Sequence, residues 1–486
     1  MGHYHVFFGQ LFTMSNLSTP AQRWGFFAVI SLGLFMIGLD NSILYTALPT
    51  LEAQLETSTT EALWIINAYP LVLSGLLLGT GALGDKIGHR LMFVIGLVIF
   101  GVASLAAAYS PSPLALIGAR ALLGVGAATM MPATLALIRL TFPDEQERNT
   151  AIGIWGSVAV VGAGLGPLVG GALLEAFWWG SVFLINVPIV VLALLLTLAL
   201  APENVPNPAK HWDVISSIYA LVALSGLTAT IKEAANPERS IALLLAVAAA
   251  ALVGGALFGR RQTKLDDPLL TFDIFRSRLF TGGVVAAAGG MVVMAGTELN
   301  TTQRLQLVDG FTPLQAGTVL IAMAAAALPA SVLGGANLHR VGFLPLVAGG
   351  FTAAAAGLAL ATWASRADNL VVFVVALVVL GWSAGSIMSV ASVAIIGAAP
   401  MSRSGMAAGV EEVSYEFGTL LTVSVTGSLL PVWLARNLEV AGYNEAYVGA
   451  YNSVLLLLLG AAVVFALVTW WCFRDNPKSG EVRPSA

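Results

Sequence analysis

Gly81-Ala82-Leu83-Gly84-Asp85-Lys86-Ile87-Gly88-His89-Arg90 is a short, charged, glycine-punctuated break between two long apolar runs. Gly335-Ala336-Asn337-Leu338-His339-Arg340-Val341-Gly342 echoes its spacing far downstream, again between two apolar runs. Each break follows an even-numbered run. The two therefore hold equivalent places if the chain consists of two parallel six-helix halves, an architecture that puts a transport site where the halves meet.

The composition supports a membrane protein. The chain has 486 residues, of which 57% are hydrophobic and 10% charged, and its mean hydropathy is +0.86. About fourteen apolar runs are long enough to span a bilayer as helices. Lys86, Arg90, Arg139, Arg148, Lys210, Arg260, Arg261, Lys264, Arg276, Arg278, Arg340, Arg403, Arg474 and Lys478 fall in alternate connections. The opposite set holds mainly Lys232, Arg239, Arg304, Arg366 and Arg436. Basic residues stay on the cytoplasmic side, so both termini are expected there and the number of spans to be even.

Several function classes are excluded at this level. The net charge of −4 gives no footing for nucleic acid. The one cysteine, Cys472, can form neither an internal disulfide nor a thiol metal site. With no phosphate-cradling G-x-x-x-x-G-K-[ST] motif, ATP coupling is not expected. No catalytic triad, metal cluster or cofactor fingerprint points to an enzyme.

The proline-broken stretch Pro202-Glu203-Asn204-Val205-Pro206-Asn207-Pro208 reads as a link between halves. The expected organisation is an N-terminal cytoplasmic segment over 1–23, a six-helix bundle over 24–201 and a linker over 202–212. Two inserted helices follow over 213–259, then a basic linker over 260–278, a second six-helix bundle over 279–472 and a tail over 473–486. The inserted pair, about Val214–Ile231 and Ile241–Phe258, carries no acid inside the membrane and reads as a structural or lipid-facing spacer. Met1 and Met14 both stand as candidate starts.

Ionisable groups inside apolar runs are costly, roughly 2.5–3.5 kcal/mol each at a helix centre, and mark function by default. Glu411, Glu412 and Glu416 lie in one run, and Asp40, Arg120 and Glu298 in three others. Glu412 and Glu416 are one helical turn apart and share a face; Glu411 is rotated away from them. Two like charges so close in a low dielectric repel, which suits a site that always holds either a proton or a cation. Asp40 and Arg120 fall at similar depths, so they can pair directly or through water. Such a pair serves either as an exchange site or as a permanent structural contact. Glu298 is a further candidate acid, or a rim charge. Trp64, Tyr69, Trp155, Tyr415, Phe417 and Trp382 are candidate aromatic walls for cation–π contacts.

Five motifs in order resemble the major facilitator superfamily, specifically its fourteen-helix drug:proton antiporters. Gly81 to Arg90 is similar to the signature between helices two and three. Arg120-Ala-Leu-Leu-Gly124-Val-Gly126 is similar to the fourth-helix motif, with Leu123 where Gln is usual. Gly162-Ala-Gly-Leu-Gly166-Pro167-Leu-Val-Gly170-Gly171 matches the fifth-helix antiporter motif. Leu39-Asp40-Asn-Ser-Ile-Leu-Tyr-Thr-Ala-Leu-Pro49 resembles the first-helix motif, with Ser42 and Tyr45 replacing the usual Thr and Asn, and Trp64-Ile-Ile-Asn-Ala-Tyr69 resembles its second-helix companion.

The resemblance implies an all-α major facilitator fold of two six-helix bundles with two additional central helices. It implies a monomer in the bacterial inner membrane that exports hydrophobic mono- and dications in exchange for protons, with no cofactor or bound metal. Quaternary ammonium compounds, dyes, viologens and bisbiguanides are the expected substrates; a dedicated solute or siderophore carrier is the alternative. Asp40, Glu411, Glu412, Glu416, Glu298 and Arg120 would then serve proton and cation coupling. Gly81, Asp85, Lys86, Arg90, Gly162, Gly166, Pro167 and Gly170 would serve gating. The small-residue face of Gly162, Gly166 and Gly170 lets a neighbouring backbone approach closely, and Pro167 can bend its helix.

Overall fold

The computed structural model describes residues 19–209, 212–235, 239–266, 268–400 and 403–474. Met1, Met14, Lys210 and the tail beyond 474 lie outside them. In a bilayer every backbone polar group must be satisfied within the protein, which favours helices throughout. The described elements are helical. They are α1 (Pro20–Leu55), α2 (Thr59–Ile87), α3 (His89–Ala108), α4 (Pro113–Thr141), α5 (Glu145–Ala176) and α6 (Asn186–Leu200), the last led by a single turn at Ser181–Leu184. Next come α7 (Val214–Ala235) and α8 (Ile241–Gln262). The series ends with α9 (Arg278–Leu307), α10 (Pro313–Val341), α11 (Phe343–Arg366), α12 (Leu370–Ala398), α13 (Ser404–Leu438) and α14 (Tyr443–Phe473).

Among the described residues, 13 helical segments are long and apolar enough to cross a membrane. The 32-residue α5 adds a shorter apolar stretch at Gly164–Ala176. The helix starts follow local chemistry. Thr19, Ser58 and Thr312 accept from the third helical N–H, while Gln22, Glu61 and Gln315 reach back to form capping boxes. Pro20, Pro113 and Pro313 stand at the first helical positions, where a missing N–H costs nothing.

Packing repeats with a shift of eight helices. In the first part α1 packs on α5 and α6, and α3 on α4 and α6. In the last part α9 packs on α13 and α14, and α11 on α12 and α14. The two parts meet through α2 on α13 and α5 on α10, two contacts that the same shift interchanges.

The two glycine breaks are the corners of this repeat. Gly88 and Gly342 end α2 and α10 with φ of 97° and 89°, a region open to glycine, and their N–H groups close onto Gly84 O and Leu338 O. At the other end of each motif a glycine meets the opposite part. A Cβ on Gly81 would lie 2.3 Å from Gly405 O, and one on Gly335 would lie 2.4 Å from Asn149 O. The linker clamps the first corner: Asn204 Nδ2 donates to Ile87 O (2.7 Å), Leu91 N donates to Asn204 Oδ1 (3.1 Å), and Asn207 N donates to Lys86 O (2.9 Å). Arg90 donates to Pro202 O and Leu198 O.

One expectation changes here. Lys232, read as part of a connection, lies in the last turn of α7, because Glu233, Ala234 and Ala235 carry the helix on beyond Ile231. Gly162 and Gly166 lie against α1. A Cβ on Gly162 would lie 2.5 Å from Phe35 O, and one on Gly166 would lie 1.8 Å from Ser42 Oγ, so this face tightens α5 against α1. Gly170 is buried on the same helix; the side chain of Pro167 lies outside what is described.

Candidate functional site

Asp40 on α1 and Arg120 on α4 are almost fully buried, at 1% and 0% exposure. Arg120 Nη1 donates to Asp40 Oδ2 at 2.7 Å. Asn186, at the start of α6, donates its Nδ2 to Asp40 Oδ1 at 2.7 Å and to Ser104 Oγ at 3.3 Å. Arg120 Nε donates to Ile65 O (3.3 Å), and the guanidinium lies over the Tyr69 ring, 4.8 Å from its centroid. Both Asp40 oxygens are therefore engaged, and five helices (α1, α2, α3, α4 and α6) are tied together around one ion pair. Of the two roles open to this pair, the geometry in this state is that of a structural contact.

The acids of α13 sit differently. Glu411 is fully buried. Its Oε1 accepts from Tyr415 OH at 2.8 Å and from Ser392 Oγ on α12, and those two hydroxyls lie 3.0 Å apart. Glu412, 1% exposed, has an Oε1 with no hydrogen-bond partner among the described residues. Glu416 follows one turn later and is partly exposed. Lys232 and Tyr69 lie within electrostatic range of Glu416, and Tyr69 is within range of Asp40, Arg120 and Glu412 as well. The hydroxyl of Tyr69, buried on α2, also has no described partner. Tyr69 thus lies directly beside the Asp40 pair, against the Arg120 guanidinium. A buried carboxylate oxygen without a partner is expensive when charged, and Glu411 Oε2 on the same helix also has no described partner.

The end of the molecule that carries Lys86, Arg90, Arg139 and Arg148 is closed. Asp85 Oδ1 accepts from Gly405 N at 3.0 Å and pairs with His89 Nε2 at 3.1 Å. Arg403 gives α13 no side-chain cap, so Asp85 of the other part takes that place, where the helix dipole favours an acid. Arg139 Nη2 donates to Ala399 O at 2.8 Å. Ser331 Oγ of α10 donates to Gly153 O of α5. Lys86 is half-buried beside this seam.

Other candidates stand apart. Glu298 on α9 is partly exposed. Trp64 and Trp382 are 46% and 47% exposed. Trp155 is buried and donates to Thr134 Oγ1 at 2.9 Å, which anchors α5 on α4. Phe417 is half-buried beside Glu416 on α13. Tyr69 and Tyr415 are the aromatics brought to the acids. Sequence reading missed Asn186, Ser392 and Lys232. Asn186 is a polar residue inside the apolar run Leu184-Ile185-Asn186-Val187-Pro188, and Ser392 ends a three-residue periodicity through Ser383, Ser386 and Ser389; both patterns were visible signals.

Residues 30–308 match the Major Facilitator Superfamily. The chain is 36% identical over 440 residues to the multidrug efflux pump LfrA of Mycolicibacterium smegmatis, covering 90% of this chain and 87% of that one. It is 36% identical over 434 residues to the methyl viologen resistance protein SmvA of Salmonella typhimurium, covering 87% and 86%. Among solved structures, the human organic anion transporter MFSD10 superposes with a TM-score of 0.64 at 16% identity, covering 91% of this chain and 100% of that one, a likeness of fold.

Proposed function

This chain belongs to the Major Facilitator Superfamily, and from that premise we propose that it exports hydrophobic mono- and dications in exchange for protons by alternating access. Quaternary ammonium compounds, dyes, viologens and bisbiguanides are the substrate classes. The basic end faces the cytoplasm of a bacterium, in keeping with the positive-inside rule, and the protein works in the inner membrane as a monomer, built as six helices, an inserted pair and six helices.

The observation that carries the reading is Glu412: buried, its Oε1 without a described partner, with Glu416 one turn further on. Proton release frees a carboxylate for the guest cation; when the cation leaves, the carboxylate takes a proton again. Tyr69 and Tyr415 supply aromatic surface beside these acids. Glu411 is held by Ser392 and Tyr415 and acts in support. Asp40, held by Arg120 and Asn186, joins the exchange only in a state where those contacts open; Glu298 is a secondary acid. In a one-for-one exchange the potential terms of the entering proton and the leaving monocation cancel, so the pH gradient drives it; each further proton that enters adds about 2.3 kcal/mol per 100 mV. Asp85, with Gly81, Lys86 and Arg90 around it, clasps the cytoplasmic seam; Gly162, Gly166, Pro167 and Gly170 hold α5 close to α1 while it moves.

Everted membrane vesicles containing the protein test this reading. Ethidium and methyl viologen accumulate in them under a proton gradient and leak out when an uncoupler is added. Uptake that survives the uncoupler sinks proton coupling. Uptake of a single nutrient or siderophore, unaffected by chemically unrelated cations, favours a dedicated carrier instead.

A further inference from the structure

Glu411, Ser392 and Tyr415 close a triangle of oxygens. Tyr415 lies one turn after Glu411 on α13, and Ser392 comes from α12. Tyr415 OH meets Glu411 Oε1 at 2.8 Å, Ser392 Oγ meets the same Oε1, and the two hydroxyls meet each other at 3.0 Å. All three residues are buried, and Glu411 Oε2 has no described partner.

Each of these contacts needs a proton to be a hydrogen bond, and a serine and a tyrosine bring one apiece. An ionised Glu411 brings none. Both hydroxyls then donate to Oε1, and the contact between Ser392 and Tyr415 sets lone pair against lone pair. The charge is also left on a buried Oε2 without a partner, which is costly. A protonated Glu411 supplies what is missing. Its Oε1–H donates to Ser392 Oγ, Ser392 donates to Tyr415 OH, and Tyr415 donates back to Oε1. Oε2 is then a neutral carbonyl oxygen, which tolerates a missing partner better than a charged one.

The surrounding helices bring no cation that changes this count. Among the described residues, Arg120 of α4 pairs with Asp40 and Lys232 of α7 donates to Asn67 Oδ1 on α2. Asp85 of α2 accepts from Gly405 N, and Tyr451 of α14 meets Thr301 of α9. Glu412, next to Glu411 on α13, is a second acid, and α12 brings serines.

We propose that Glu411 is a proton-holding site while the basic end is closed, with Ser392 and Tyr415 as its positioning residues. This goes beyond the reading of Glu412 and Glu416 as exchange acids, because it places an occluded proton beside them. The triangle supplies the described hydrogen bonds between α12 and α13. Loss of the proton removes one of its three contacts and loosens that junction. Ser389, one turn earlier on α12, sits in the seam between the two parts: Cβ atoms on Gly153 and Gly335 would lie 2.8 and 3.2 Å from its Oγ. The proton therefore bears on the seam through α12.

Infrared difference spectra of the full-length protein in detergent, without guest and at neutral pH, test the assignment. Wild type minus Glu411→Gln is expected to show the C=O stretch of a protonated carboxylic acid, at the high-frequency end of its range because Oε2 accepts no hydrogen bond. Ser392→Ala and Tyr415→Phe should each shift that band, and Ser392→Thr, which keeps the hydroxyl, should leave it in place. If Glu411→Gln fails to fold, wild type minus Ser392→Ala reads the same band. Carboxylate bands in place of the acid band, or an acid band that neither hydroxyl deletion moves, overturn the assignment. In everted vesicles Ser392→Ala and Tyr415→Phe should also shift the pH profile of ethidium uptake while Ser392→Thr does not; an unmoved profile overturns the link to the seam. A wild-type protein that shows the acid band but releases no protons on binding tetraphenylphosphonium supports this site and defeats the exchange reading instead.

Discussion

Asp40 and Glu412 are each 1% exposed, and both are carboxylates on membrane helices, yet their surroundings are opposites. Asp40 has a cation on one oxygen and an amide on the other. Glu412 has an oxygen with no described partner and two further glutamates on the same helix. A satisfied buried ion pair is a fixed point that resists change; an unsatisfied acid is one that a proton or a cation can still stabilise. Under the proposed exchange, the contrast assigns Asp40 to holding shape and Glu412 to exchange.

Removing Arg120 breaks the contrast most severely. Arg120→Met leaves Asp40 buried without its cation, and such losses cost about 3–5 kcal/mol. The expected result is a marked fall in the thermal unfolding temperature in detergent. Pairing it with Asp40→Leu should recover most of that fall, since an apolar replacement of both partners is close to neutral. If Arg120→Met unfolds like the wild type, the pair is no anchor.

Glu412→Gln should do the reverse: retain or slightly raise thermal stability while abolishing uncoupler-sensitive dye efflux. Substrate-triggered proton release in detergent is the second readout. Full efflux at equal expression removes Glu412 from the exchange. Glu411 lies between the two extremes. Glu411→Gln weakens the contacts to Ser392 and Tyr415 and should cost about 1 kcal/mol of stability, with efflux reduced and not lost. A loss of efflux as complete as in Glu412→Gln would make Glu411 an exchange acid in its own right.

The smallest effect is expected at Asp213, which precedes α7 and pairs with Arg261 at 2.6 and 3.1 Å. The Arg261 hydrogen bonds hold its carboxyl below the usual carboxylate range, with Ser216 Oγ and Ile215 N helping. Because the folded value is lowered, the stabilisation is present above the unfolded value, near about 4, and is lost as pH falls through the folded one. Asp213→Asn should therefore be slightly less stable than wild type at neutral pH, and the gap should close in acid. A gap that is constant with pH would assign the effect to packing.

Much of this was legible from the residues. Long apolar runs, the two glycine breaks and the alternating basic connections led to the helical two-part fold. The matched depths of Asp40 and Arg120 led to their contact, because depth in a bilayer follows simply from position along a span. What stayed hidden depends on rotation about helix axes. Nothing in the spacing of Gly162 and Gly166 says that they turn toward α1. Nor does the position of Lys232 beside a polar connection reveal that the helix continues through it and aims its ammonium at Asn67. Asn186 and Ser392 are short polar residues, common in membrane helices for many reasons, and only packing shows which acids they serve.

The two glycine corners share a backbone shape, but only one carries an acid. Asp85 reaches across to α13, whereas its counterpart His339 is exposed, and the α5–α10 seam is held by close backbone approach at Gly335 and the hydroxyl of Ser331. The same contour is therefore fastened by two chemistries, a carboxylate against a helix start at one corner and backbone approach with a hydroxyl at the other.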